Sequence, residues 1–187
     1  MNEAKVAGRW ELATSRLRLR RLVPGDGEHL HRYRSDPNVR RFQSLCPESV
    51  EAAEEFVAQQ LHVEFDTMGT WAQIGVELSE EKMLIGDFGV HFLEEEERQV
   101  ELGFTIAPSF QRRGYAREAM MALLGHLFGE CKKHRVVLRM DAANAAALAL
   151  ASSLGFRKEG LFVKSFWADD HWADKVVCAM LHSEWGQ

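Results

Sequence analysis

Only three cysteines occur in the 187 residues, Cys46, Cys131 and Cys178. They are far apart and lack CxxC spacing, which argues against both a disulfide framework and a zinc site and suits reduced thiols in the cytosol. Nowhere do eighteen apolar residues run together, and the opening MNEAKVAGRWE has no apolar signal core, so membrane spanning and secretion are both disfavoured and a cytoplasmic location is expected. Basic residues are neither in excess nor clustered. The formal charge is -5, which disfavours direct nucleic-acid binding, because neutralising phosphates needs a concentrated basic face. Internal repeats, low-complexity tracts and linker-like composition shifts are absent, so residues 1–187 are expected to form one domain with its core at about 14–185. Neither the P-loop pattern GxxxxGK[ST] nor the dinucleotide fingerprint GxGxxG occurs.

What is present is an ordinary globular balance, 46% apolar and 27% charged, arranged as alternating strand-like and helix-like patterns. RLRLRRL (residues 16–22) reads as a first strand ended by Pro24-Gly25, followed by a short helix over 26–34 that Ser35-Asp36-Pro37 stops. A second helix is expected over 49–65, with Val50, Ala53, Phe56, Val57 and Leu61 on one face. TWAQIGVEL and LIGDFGVHF each place their larger apolar residues on one side and read as a hairpin through SEEK. The acidic run Glu94 to Glu97 reads as a solvated turn into the strand QVELGFTIAP. A helix to about Lys132, the strand RVVLRMD, a helix capped by Asn144 and two final strands around ADDHWAD complete the chain. The expected fold class is α/β (α+β), with elements in the order β-α-α-β-β-β-α-β-α-β-β around a largely antiparallel sheet.

The stretch APSFQRRGYAREAM (residues 107–120) lies where a strand becomes a helix. A helix N-terminus carries unpaired N–H groups and the positive end of the dipole, so it suits phosphate. Gly114 lets the turn come close, Ala116 keeps the first helical turn open, and Arg112 and Arg113 supply charge. This Gln111-x-x-Gly114-x-Ala116 pattern after ELGFTI resembles the acyl-CoA pyrophosphate loop of the GNAT superfamily of N-acetyltransferases. TSRLRLRRLVPGDGEHLHRYRSDPNV and DAANAAALALASSLGFRKEG are similar to the opening segment and the Asn-capped helix of that family. The tail HWADKVVCAMLHSEW resembles the branch containing the ribosomal-protein N-terminal acetyltransferases. The resemblance implies a GNAT fold with a splayed mixed sheet and acetyl-CoA as cofactor. It further implies a pantetheine arm paired with backbone near Phe104 and Ile106, a pyrophosphate held by the N–H groups of Gln111, Arg112, Arg113, Gly114, Tyr115 and Ala116, and an Asn144 within reach of ligand or water.

Acetyl transfer needs a neutral amine, a stabilised oxyanion and a thiolate leaving group. At pH 7 an α-amine of pKa near 7.8 is roughly 10–20% neutral and a lysine less than about 0.1%, a difference of about 3.5 kcal/mol. An N-terminal amine therefore asks less of a base. Alternation puts Glu101 on the side of Gln99, Gly103 and Thr105; the resemblance implies it as the base, with His91 in reserve. The tyrosine and serine that relatives carry after the helix-capping asparagine are here Ala151 and Ala147, which leaves Ser152 or a water as the acid. Two decoys are set aside. GDFG (Gly86 to Gly89) lacks the rest of a kinase, and DDHWAD reads as a hairpin turn rather than a metal site.

The expectation is an N-acetyltransferase that uses direct attack in a ternary complex, since the cysteines suggest no covalent step. Its partner is an amine acceptor, foremost a protein or peptide N-terminus, with small amines such as aminoglycosides, polyamines or amino acids as the alternative and a homodimer left open. An acyl-CoA sensor without turnover is the alternative of another class.

Overall fold

The middle strands carry apolar residues on one face and buried polar ones on the other, so both faces must be covered. A computed structural model describes residues 10–168 and 171–186. Its eight strands are β1 (Glu11–Ala13), β2 (Leu17–Arg21), β3 (Trp71–Leu78), β4 (Leu84–Phe92), β5 (Gln99–Ile106), β6 (Arg135–Asp141), β7 (Arg157–Ala168) and β8 (His171–Leu181). They form one sheet in the order β1-β2-β3-β4-β5-β6-β8-β7, antiparallel except where β5 meets β6. A parallel neighbour requires a crossover, and helix α4 (Tyr115–Gly129) supplies it.

Helices cover both faces. Leu123, Leu124, Leu127 and Met120 of α4 pack on Ile74, Phe88, Val90 and Leu102, joined by Ala147 and Ala151 of α5 (Ala145–Ser153). On the other face, Leu30 and Tyr33 of α1 (Asp26–Arg34) and Ala53 and Val57 of α3 (Val50–Gln60) enclose a smaller cluster with Leu22 and Leu84. The polar residues of β3 and β4 that face this side are buried too: Gln73, Glu77 and Asp87. One-sided alternation thus marked the strands correctly, but their polar side is interior rather than wet.

Several local expectations change. The Ser35-Asp36-Pro37 stop of α1 is also a start: Asp36 accepts from Asn38 N at 2.8 Å and Pro37 opens the short α2 (Pro37–Arg40). The second predicted helix ends at Gln60 rather than 65, because the chain turns to lay Phe65 on Trp10, ring centroids 4.6 Å apart. Strand β1 carries no periodicity and was not expected. The last hairpin is longer than its sequence pattern, taking up His171–Asp174; Asp169 and Asp170 lie outside the described residues. Among the described residues no cluster of His, Cys, Asp and Glu could hold a metal ion, and no helix is long and apolar enough to cross a membrane.

The N-terminal strand is tied down by a titratable bond. Trp10 Nε1 donates to His126 Nε2 at 3.0 Å, which requires that nitrogen to be unprotonated. Burial holds the His126 pKa below its usual value. Since the folded pKa is depressed, the unfolded state binds the extra proton first, and the contribution to stability is lost as pH falls from about 6.5 through the folded value. Tryptophan fluorescence should report loosening of Trp10 over that window, and His126→Gln should remove the pH dependence of this step.

Candidate active site

The site arises where two strands part. β5 and β6 pair only from Gln99↔Arg135 to Leu102↔Leu138. Beyond that, β5 continues against β4 to Ile106 and β6 against β8 to Asp141. Ala107 N donates to Ile85 O at 2.8 Å, so by alternation Gly103 and Thr105 aim their backbone groups at β4 while Phe104 and Ile106 aim theirs into the gap. The Ile106 carbonyl is taken up by Gln111, whose side-chain amide donates to it at 2.8 Å. Gln111 therefore ties the loop to the strand end.

Next to the gap, α4 begins at Gly114 in the left-handed region (φ 84°) with no side-chain cap. Its first i→i−4 bond runs from Glu118 N to Gly114 O, so the N–H groups of Tyr115, Ala116 and Arg117 precede the ladder. Arg112, also left-handed at φ 59°, turns the preceding loop. The loop is clamped from behind: Arg16 donates to Arg113 O at 3.1 Å and lies 4.5 Å over the Tyr115 ring, while Glu118 accepts from Thr14, Ser15 and Arg16. These contacts hold the N–H groups in place before any anion arrives.

A groove of about 770 Å³ runs along this loop, bordered by Arg41, Arg112 and Arg117. Among the described residues no carboxylate borders it, although the chain carries net charge -5. An uncapped helix start, an open strand edge and three cations suit a phosphate-bearing pantetheine thioester. Arg113 and Tyr115 do not border the groove; Arg113 lies 5.6 Å over the Phe110 ring. Of the two arginines expected to supply charge, Arg112 borders the groove; Arg41 and Arg117, which also border it, carry no local sequence signal.

A second cavity of about 380 Å³ lies on the α1/α3 side of the sheet. Phe42, Gln43, Phe104, Asn144 and Ala147 border both spaces, so the two meet there. Asn144 Oδ1 caps α5 by accepting from Ala147 N at 3.1 Å, which leaves its amide N–H groups for a ligand or water. Glu101 faces the second cavity and is ion-paired with Arg139, a partner that sequence reasoning missed. His91, opposite Glu101 in register, stacks on Trp71 at 4.6 Å; burial and then Arg139 hold its pKa below the usual value. Ala147 borders the junction, Ala151 is buried, and Ser152 is exposed and borders neither space. The three cysteines border neither space, and burial pushes the Cys131 thiol up to about 11.

Under this cavity sits a buried cluster. Asp87, fully buried, accepts from Tyr33 Oη at 2.6 Å and from Arg34 and Gln73. Burial works against the Arg34 charge, but Asp87 overrides it and the guanidinium's pKa is raised; burial, reinforced by Asp87, raises that of Tyr33. Arg34 in turn donates to Leu45 O at 2.8 Å, holding the segment 42–45 that borders the cavity. A carboxylate in the middle of the apolar GDFG strand was the signal for this cluster, since a buried acid needs partners.

Comparisons with known proteins identify the family. The model of the acetyltransferase (GNAT) domain matches residues 16–157. An uncharacterized N-acetyltransferase of Bacillus subtilis, YnaD, is 30% identical over 174 residues, covering 93% of this chain and 98% of that one. The [ribosomal protein bS18]-alanine N-acetyltransferase of Escherichia coli K12 is 38% identical over 82 residues, 41% of this chain and 53% of that one. Among solved structures, a GNAT-family acetyltransferase from Bacillus anthracis superposes with TM-score 0.82 at 27% identity, covering 94% of this chain and 100% of that one. The spermidine N-acetyltransferase of Vibrio cholerae, solved with CoA and spermine, gives TM-score 0.78 at 27% identity, covering 91% and 98%. The chain belongs to the GNAT family and is an acyltransferase whose acetyl donor is acetyl-CoA.

Proposed function

We propose that this enzyme acetylates the α-amine of a protein or peptide N-terminus, by direct attack on acetyl-CoA in a ternary complex. The observation that carries this reading is the charge inventory of the second cavity. Its cations Arg34 and Arg139 are matched by Asp87 and Glu101, and Asp141 accepts from Ala143 N at 2.7 Å. A single ammonium can exchange for Arg139 at Glu101. The further ammonium groups of a polyamine would find only Asp141, already engaged by a backbone N–H, and would face two guanidinium groups.

In this reading the pyrophosphate lies on the N–H groups of residues 112–117 with Arg41, Arg112 and Arg117 beside it, and the pantetheine arm follows the open backbone of Phe104; the Gln111 N–H, expected in this set, donates instead to Pro108 O at 3.2 Å. Bound acetyl-CoA supplies an electrophilic thioester carbonyl. Glu101, directly or through water, takes the ammonium proton, and the open N–H of Phe104 at the junction is a donor for the developing oxyanion. Asn144 and Gln43 are the polar side chains where the two spaces meet, and their amides hydrogen-bond without giving up a proton. A thiol of pKa near 8.5 leaves as the anion, so neither Ser152 nor another side-chain acid is required.

The test is calorimetric titration with acetyl-CoA, then thiol release in the presence of peptides beginning with alanine or serine, spermidine and an aminoglycoside. Binding followed by faster turnover of the peptides than of spermidine is the expected result. Preferred turnover of spermidine would overturn the α-amine assignment, and absence of acetyl-CoA binding would overturn the groove.

A further inference from the structure

The acceptor-side face of the sheet has a gap in its side chains. Register places Gln73, Gly89 and Gly103 in one row across β3, β4 and β5. The rows on either side are Trp71, His91, Glu101 and Gly75, Asp87, Thr105. Same-face rows lie about 6.7 Å apart along a strand, and neighbouring strands about 4.8 Å apart. Two adjacent glycines therefore leave a strip of floor without side chains beside the Glu101 row, covered by the Trp71 indole over Gly89 and open over Gly103.

The strand glycines differ in what requires them. A Cβ on Gly86 would meet Thr105 O at 2.3 Å, and one on Gly75 would meet Leu84 at 2.7 Å, so close packing accounts for both. A Cβ on Gly89 would press on the Trp71 indole at 3.1 Å; that ring lies over the glycine and forms a wall of the cavity. Gly103 is different. A Cβ there would meet nothing within 4 Å, its φ is not left-handed, and glycine weakens a strand interior. No packing or backbone constraint of the fold explains it, and the space it leaves is the cavity that Glu101 faces.

We infer that Gly103 is a specificity-determining residue, keeping open the room for the substituent on the carbon that bears the reacting amine. On the reading above, this substituent is the side chain of the acceptor's first residue. Phe42, Phe56 and Trp71 give the cavity aromatic walls, and its guanidinium groups are already paired, so the room suits an uncharged side chain with an apolar body.

The experiment compares wild type with Gly103→Ala and Gly103→Val. Probes are tetrapeptides differing only in a first residue of glycine, alanine, leucine or phenylalanine, together with n-butylamine and sec-butylamine, the latter branched at the amine-bearing carbon. Acetyl-CoA affinity and Tm should be unchanged or, for Tm, raised. With Gly103→Ala, kcat/KM for leucine- and phenylalanine-first peptides should fall relative to glycine-first by roughly 10- to 200-fold, the range one methylene commands in a closed pocket. Gly103→Val should extend the loss to alanine-first. Equal loss across the series, or no loss, overturns the role of Gly103. If wild type acetylates the butylamines but no peptide, the α-amine reading fails, and a loss confined to sec-butylamine still upholds Gly103. Turnover of neither probe set overturns both.

Discussion

Glu101→Gln should lower kcat for a peptide acceptor at pH 7 by about 10²-fold, the lower end of what a positioned general base contributes, with acetyl-CoA affinity unchanged. The carboxylate faces the acceptor cavity, while the cations and helix start of the donor groove lie across the gap. Binding and chemistry should therefore separate in this variant. The size of the loss should depend on pH in a definite direction. An α-amine of pKa near 7.8 deprotonates itself as pH rises, so the deficit should narrow between about pH 7 and pH 9. A pH-rate profile of both enzymes checks this; a variant with full turnover, or a deficit that widens with pH, would remove Glu101 from the role of base. Arg139 is about two-fifths exposed, so losing its ion pair leaves a hydrated guanidinium and little penalty to stability.

Asp87→Ala should produce the largest loss of stability among single substitutions in the polar cluster, about 3–5 kcal/mol, because it strands the buried Arg34 charge and two further donors. For a chain of this size that corresponds to a fall in Tm of roughly 6–20 °C. Asp87→Asn keeps an acceptor for Tyr33 but not the countercharge, so it should restore only part. Urea titration of the three proteins gives the comparison. The damage should also reach function, since Arg34 holds the carbonyl of Leu45 and hence the segment bordering the acceptor cavity. At temperatures where the variant stays folded, the acceptor KM should rise more than the acetyl-CoA Kd. Stability equal to wild type would mean that the cluster contributes no net energy.

The donor groove was largely legible in the order of residues because its parts are local: a strand, a turn with Gly114, and a helix start within a dozen positions. Even there the helpers were misread in part. Arg113 turns to Phe110, whereas Arg41 and Arg117 border the groove. The acceptor side was far less legible. GDFG looked like strand filler, yet Asp87 anchors α1 and Gly89 forms floor. Gln43 and Phe42 carried no decodable pattern because their position depends on α2, a one-turn helix begun by the same Asp36-Pro37 that ends α1.

Residue order by itself determined the class of the fold, the identity and rough extent of most elements, and the glycine-bearing strand-to-helix turn proposed above as the phosphate site. Apolar periodicity, helix caps and turn residues act over a few positions, so they can be read without knowing the neighbours in space. The tertiary structure alone decided which face of β3 and β4 is buried polar, that Glu101 meets Arg139 from 38 positions away, and that Gly89 and Gly103 lie side by side. Those facts follow from strand register and from the point at which β5 and β6 part. Both are set by the packing of α4 and α1 on opposite faces of the sheet, a balance of contacts between residues far apart in the chain.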